Sequence, residues 1–250
     1  MQSPAHQKTI PIRIGRQHKI DLVLQESLLQ LHNFLMRQGF YPVALSSLLC
    51  FGLYVTRVVL SRSFDFYSML WNLFLAWIPY LCSILAMSLH ERRPNRWWRL
   101  VVPCIVGIAF FPNAPYIVTD FLHLADYDRI PIWFDIGMLA SFAWTGIVLG
   151  VYALRLMQEI VRDWIGTLLS WGFVFVVLGL SGMGVYLGRF LRWNSWDLLT
   201  QPGAILYDVA VRLRYPFGNL STYGVTLMYA GLMLVCYLAI VIGPSRQKPR

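Results

Sequence analysis

Tyr116, Asp120 and His123 stand at i, i+4 and i+7 in the chain. On an α-helix that spacing puts a phenol, a carboxylate and an imidazole on one face. Asp126 and Asp128 follow closely. An imidazole among carboxylates can hold a divalent cation or divide acid and base roles in proton transfer. The spacing fits no strict metal motif. Asp120, His123, Asp126 and Asp128 are therefore candidate ligands beside a plainer reading, an Asp–His pair that orders a loop. No cofactor can be named from the sequence.

Further polar groups lie in other parts of the chain. Asp135, in Trp133-Phe134-Asp135, falls about one turn inside an apolar run. Ionisable residues in such runs face a protein interior and mark functional positions. The string Arg189-Phe190-Leu191-Arg192-Trp193-Asn194-Ser195-Trp196-Asp197 brings two guanidinium groups, an amide and a carboxylate together with two indoles. Arg189 and Arg192 can pair with Asp120 or Asp135, or hold a carboxylate or phosphate by two-point contacts. Trp193 and Trp196 would supply apolar walls at headgroup depth. The candidate ligand-binding set is thus Asn113, Tyr116, Asp120, His123, Asp135, Arg189, Arg192, Asn194 and Asp197.

Asn113 enters through Phe111-Pro112-Asn113-Ala114-Pro115-Tyr116. Two prolines three residues apart remove two backbone donors and disfavour helix just before each. The third apolar run is expected to break or kink at Pro112 and Pro115, with Asn113 capping a second helical piece. Counted from Leu100, Asn113 lies about 20 Å along the helix, beyond the middle of a hydrocarbon layer about 30 Å thick. Irregular backbone at that depth must be buried in protein or line a wet cavity.

The elements that position these groups are membrane spans. The chain has 250 residues, 57% hydrophobic and 13% charged, where a soluble domain carries about 25% charge. Its charges fall in short blocks between apolar stretches too numerous for one soluble core. Six spans are expected: 41–60, 66–89, 100–120, 132–157, 164–187 and 220–243. The fold class is all-α, a polytopic transmembrane helix bundle. Trp71, Trp97, Trp98, Trp133, Trp164, Tyr186 and Tyr223 near the span ends suit the headgroup belt. Gly146/Gly150 and Gly184/Gly188 each form a Gly-x-x-x-Gly step, which reads as close helix packing rather than as an oligomer contact. Cys50, Cys82, Cys104 and Cys236 all lie in apolar runs without Cys-x-x-Cys spacing and behave as small hydrophobes.

Net charge is +9. The basic residues form no single large soluble face, so nucleic acid is excluded as a partner; they mark the cytoplasmic loops instead. With both termini inside, fourteen of the 21 lysines and arginines fall on the inner side. The decisive contrast sets the Arg92–Arg99 loop against the acidic loop after the third span. Residues 1–40 form a basic N-terminal segment in which Leu24, Leu28, Leu31 and Leu35 recur at helical spacing, an amphipathic helix for the membrane surface or for a partner. The first apolar run is full-length and would itself direct insertion. Residues 41–243 form the six-span domain and 244–250 a basic cytoplasmic tail.

Three strings, Phe-Pro-Asn-Ala-Pro-Tyr-Ile-Val-Thr-Asp-Phe-Leu-His-Leu (111–124), Trp-Phe-Asp (133–135) and Gly-Arg-Phe-Leu-Arg-Trp-Asn-Ser-Trp-Asp (188–197), closely resemble domain of unknown function family 1361, a family of bacterial multi-pass membrane proteins. The resemblance runs from the second span to the last. It implies a bacterial inner-membrane protein and no particular activity.

On this topology the distinctive polar segments of three spans converge on the outer face. Three function classes fit. The first is binding or transport of a small polar, ionic or lipid-headgroup ligand, anionic if the arginines hold it. The second is an enzyme acting on a lipid-linked or extracytoplasmic substrate, although Gly-x-Ser-x-Gly, His-Glu-x-x-His and a phosphate loop are all missing. The third is a structural or assembly partner of another membrane protein. The first is preferred.

Overall fold

The computed structural model describes residues 16–92, 96–126 and 130–241. Among these residues there is no strand. Helix α1 (Arg16–Gln38) belongs to one compact unit, and the chain from Pro42 onward forms another. The N-terminal residues 1–15, the loop residues Asn95, Tyr127 and Asp128, and the basic tail 244–250 lie outside the described residues. Within its own unit, α1 leaves Leu24, Leu28 and Leu31 exposed, and His32 Nδ1 lies 2.8 Å from the Tyr41 hydroxyl.

Six helical stretches are long and apolar enough to cross a membrane: Phe40–Ser61, Tyr67–Arg92, Trp98–Leu124, Ile132–Ile165, Thr167–Phe190 and Pro216–Val241. This is a multi-pass helical membrane protein. The first two stretches are α2 and α3. The third holds α4 (Trp98–Phe110), the four-residue α5 (Asn113–Tyr116) and a 3-10 helix, Ile117–Asp126. The fourth and fifth are α6 (Ile132–Ile165) and α7 (Thr167–Phe190). The short α8 (Asp197–Thr200) and α9 (Pro202–Arg214) precede a 3-10 turn at Pro216–Asn219 and α10 (Leu220–Val241).

Helix α6 is the axis of the bundle. Of its most apolar window 61% is buried, against 17% for the last span, so the last span gives most of its surface to lipid. At 1.5 Å per residue the 34 residues of α6 run about 50 Å, well beyond the hydrocarbon layer. Its C-terminal part carries the Arg155–Glu159 pair, Nε to Oε1 3.0 Å. Trp164 belongs to this helix and not to the fifth span, which starts after Gly166. Gly166 alone joins α6 to α7, with φ +84° and ψ 171°. A Cβ there would meet nothing, so the need for glycine is conformational.

In the third span the chain changes helix type. Phe111, Pro112 and Ile117 all keep right-handed helical backbone. The carbonyl of Ile108, which would have bonded a residue 112 amide, takes the Phe111 N–H at 3.2 Å instead. The carbonyl of Phe111, deprived by Pro115, takes the Ala114 N–H at 3.1 Å. Each missing proline donor is thus replaced by the residue before it, and the helix tightens to i→i+3 bonding. Asn113 does not cap the second piece: Pro112 holds that position without a side-chain bond. Asn113 instead turns its amide back to the Phe110 carbonyl oxygen, 2.9 Å away.

The two Gly-x-x-x-Gly steps grip this tightened segment from two sides. A Cβ at Gly146 would stand 2.6 Å from the Ala114 carbonyl oxygen, and one at Gly150 2.9 Å from the Ala114 Cβ. A Cβ at Gly184 would stand 2.5 Å from Pro112, and one at Gly188 3.2 Å from the Tyr116 ring. At Gly146, Gly150 and Gly184 a Cβ would force its neighbours to shift, at Gly188 it would press on the Tyr116 ring, and the gain is close packing inside the bundle.

Candidate functional site

Polar side chains from several spans gather at one end of the bundle, near the C-termini of α2 and α7 and the N-termini of α3 and α6. Two ion-pair centres form there. In the first, Arg57 of α2 donates from Nε to Asp135 Oδ1 at 2.8 Å and from Nη2 to Oδ2 at 3.2 Å. The Arg57 side chain is fully buried and that of Asp135 only 2% exposed. Asp65 Oδ2 lies 3.8 Å from Nη1, and the Phe66 ring covers the guanidinium at 4.5 Å. Asp135 therefore does not pair with Arg189 or Arg192. The apolar run around Arg57 held the signal that was missed: a cation inside a span needs a buried partner.

The second centre is built on Asp120, 3% exposed. Asn72 of α3 donates to its Oδ2 at 2.9 Å, and Arg189 Nη1 of α7 lies 3.9 Å from Oδ1. Arg189 Nη2 is 3.0 Å from His123 Nε2. Arginine can only donate, so Nε2 accepts and the neutral ring carries its proton on Nδ1. In a 3-10 helix residues three apart eclipse, so Asp120 and His123 stand one above the other and share Arg189. Tyr116 leaves that face and lays its ring against Gly188. Among the described residues no three His, Cys, Asp or Glu side chains come together as a metal site. Asp128 and the Asp126 side chain are not among the described groups. His123 Nε2 already accepts from Arg189 and Asp120 Oδ2 from Asn72, while Asp120 Oδ1 stands only within ion-pair reach of Arg189.

Two cavities flank the Asn72–Asp120 bond. One, of about 350 Å³, runs from Asp65 and Ser68 to Asp120 and His123, between Phe64, Phe66, Tyr67 and Met69. It brings a carboxylate of each ion-pair centre to a common wall. The other, of about 100 Å³, is lined by Trp71, Asn72, Asn113, Tyr116, Trp193, Asn194, Ser195 and Trp196 over a floor of Leu75, Pro112, Gly184 and Gly188.

The segment after α7 forms the outer wall of this second cavity. Asp197 accepts from the Asn194 backbone N–H at 2.7 Å and from its side-chain amide at 3.3 Å, closing a local turn. Trp193 donates its indole N–H to Asp208 of α9 at 2.8 Å, and Asp208 also pairs with Arg212 at 3.2 Å. Ile205 of α9 packs with Tyr186 and Leu187. Helix α9, not anticipated from the sequence, thus props the tryptophan loop; Pro202 before the Ile205/Val209 pair was the available signal. Arg192 is exposed, with φ +62°, and among the described residues it makes no ion pair. Asn72 and Ser195, like Arg57 and Asp65, are site residues missed in the sequence; a lone amide in the apolar start of the second span was the clue to Asn72.

A family model described as a protein of unknown function, DUF1361, matches residues 71–236. The chain belongs to that family. The matched stretch holds every residue of the tryptophan-lined cavity and the whole Asp120 centre, while Arg57 and Asp65 lie before it. No curated protein and no solved structure matches the chain.

Proposed function

We propose that this chain is a ligand-binding protein of the bacterial inner membrane. Its site is the polar end of the bundle, turned outward, with both termini cytoplasmic, and its ligand is a small polar solute or a lipid headgroup. The observation that carries the reading is the pair of cavities on either side of the Asn72–Asp120 bond. Their walls come from three spans and the loop after α7. Concave sites with a few fixed polar groups among aromatic walls are the usual form of small-ligand pockets. The outward orientation rests on the arginine-rich loop after the second span.

Binding is favoured over passage because several polar groups deeper in the bundle are satisfied by one another. Ser46 meets Thr145 at 2.5 Å, Cys50 meets the same hydroxyl at 3.3 Å, and Tyr237 donates to Gln158. Binding is favoured over catalysis because Arg189 and Asn72 already engage the acid and base candidates Asp120 and His123. The anionic ligand expected from the arginines loses its support, since Arg189 is committed and Arg192 points elsewhere than the cavities.

The test is extraction of wild type and Asn72→Leu directly from native membranes into polymer-bounded discs, followed by mass spectrometry of the small molecules retained. A polar molecule or polar lipid held by wild type and lost from the variant is the expected result. Identical profiles, with both proteins folded, would sink the reading.

A further inference from the structure

Three carboxamides, Asn72, Asn113 and Asn194, line the cavity beneath the tryptophans, and their orientation is fixed. Asn72 gives its amide N–H to the Asp120 carboxylate and Asn194 to the Asp197 carboxylate. Asn113 gives its amide hydrogens to the Phe110 carbonyl at 2.9 Å and to Ser195 Oγ at 2.9 Å. Carboxylates and carbonyls only accept, so none of the three amides can be turned around without losing these bonds. Each therefore offers its carbonyl oxygen as a free acceptor. The Tyr116 and Ser195 hydroxyls complete the polar wall, and neither carries a formal charge.

A wall of oriented acceptors and two hydroxyls selects a ligand rich in hydrogen-bond donors. With no charged group lining the cavity and the Asp120 and Asp197 carboxylates just behind Asn72 and Asn194, an anion entering it would give up water without a counter-charge, which is costly. Hydroxyl groups lose nothing comparable, because each finds an acceptor. Trp71 and Trp196 meet edge to face, centroids 6.4 Å apart, and are half exposed. An indole offers a flat apolar face beside a polar tip at the membrane interface, and the C–H face of a sugar ring is a flat apolar partner for it. Edge-to-face tryptophans do not enclose a ligand on several sides as an ammonium cage does.

Resting on the binding reading above, we infer that the tryptophan-lined cavity takes a neutral, hydroxyl-rich glycosyl group, carried by a free glycoside or by a glycolipid headgroup. The three amide oxygens receive its hydroxyls, and Trp196 stacks on its ring.

The experiment uses the full chain in lipid nanodiscs, titrated with methyl glycosides, myo-inositol, choline and inorganic phosphate while bound fractions are followed by ligand-observed NMR. Parallel discs containing a monoglycosyl diacylglycerol are examined by native mass spectrometry. Trp196→Leu keeps the site apolar but removes the stacking face, and should weaken glycoside binding about tenfold. Binding of free glycosides assigns a solute; retention of the glycolipid alone assigns a headgroup; either supports the inference. Choline or phosphate binding lost in Trp196→Leu, with glycosides inert, overturns the glycosyl assignment and leaves the binding reading standing. Silence from every probe and from the glycolipid overturns the glycosyl assignment, whereas the binding reading falls only if the native-membrane profiles of wild type and Asn72→Leu are identical.

Discussion

Arg57 and Asp135 face each other through two parallel hydrogen bonds, 2.8 and 3.2 Å long, in the interior of the bundle. They tie the end of α2 to the start of α6. The buried residues of α2 are few, Val43, Cys50, Tyr54 and Arg57, so the helix depends on this pair and on the Ser46 and Cys50 bonds to Thr145. Breaking a buried pair on one side leaves the other charge without a partner. Arg57→Met alone, or Asp135→Leu alone, should each cost about 3–5 kcal/mol. The double variant should recover much of the loss. Thermal unfolding in detergent, scored as a double-mutant cycle, checks this; additive losses would contradict it.

The glycine contacts predict position-specific intolerance. Gly146→Ala and Gly184→Ala should each lower stability by about 1–3 kcal/mol, as overpacking does. Gly52→Ala and Gly172→Ala, where a Cβ meets nothing, should be neutral or slightly stabilising through helix propensity. Melting temperatures of the four variants decide the matter, and equal behaviour would show that close approach is not what the glycines provide.

Asn113 satisfies a carbonyl and holds Ser195 at the same time. Asn113→Leu, of similar size, should cost about 1–3 kcal/mol for the carbonyl left unpaired in a buried setting. It should also free the loop that Ser195 anchors. Hydrogen exchange at residues 193–196 should rise in this variant and stay unchanged in Ser195→Ala if the carbonyl bond alone matters. A rise in both would assign the effect to the bond between the two side chains.

Metal content separates two readings of Asp120 and His123. With Arg189 placed against both groups, and Asp120 Oδ2 and His123 Nε2 already accepting hydrogen bonds, elemental analysis of the purified protein should find no stoichiometric divalent metal, and Asp120→Ala and His123→Ala should match wild type. One equivalent lost in either variant would instead place a cation at this centre together with Asp126 or Asp128.

Orientation is open to direct labelling. In a background freed of Cys50, Cys82, Cys104 and Cys236, a cysteine at Asn95 should be shielded from an impermeant thiol reagent in intact cells, and one at Tyr127 should react. The opposite pattern would turn the polar end toward the cytoplasm.

The spans were legible in the sequence because lipid demands long apolar runs, and such runs have no other use in a chain of this length. The glycine steps were legible as packing, though not their partner. Pairings were not legible. Asp135 was visible as an ionisable residue in a span, as was Arg57, but nothing in linear order says that residue 57 meets residue 135. The period of the Asp120 segment was misjudged for a local reason: Ile117–Asp126 is a 3-10 helix, and its three-residue repeat leaves Tyr116 off the face it was given. Helix α9 escaped because, at 13 residues and with Asp208, Arg212 and Arg214 in it, it is too short and too charged to read as a span, and its partners, Tyr186 and Leu187, lie in another span.

The glycines that hold residues 111–117 are encoded after them. As the chain emerges, the third span reaches the membrane while α6 and α7 are still unmade, and the close packing of Pro112, Ala114 and Tyr116 must wait for them. The third span is therefore seated in the bundle only when those two later helices arrive. A protein truncated before Gly146 should leave the third span loosely packed and open to protease.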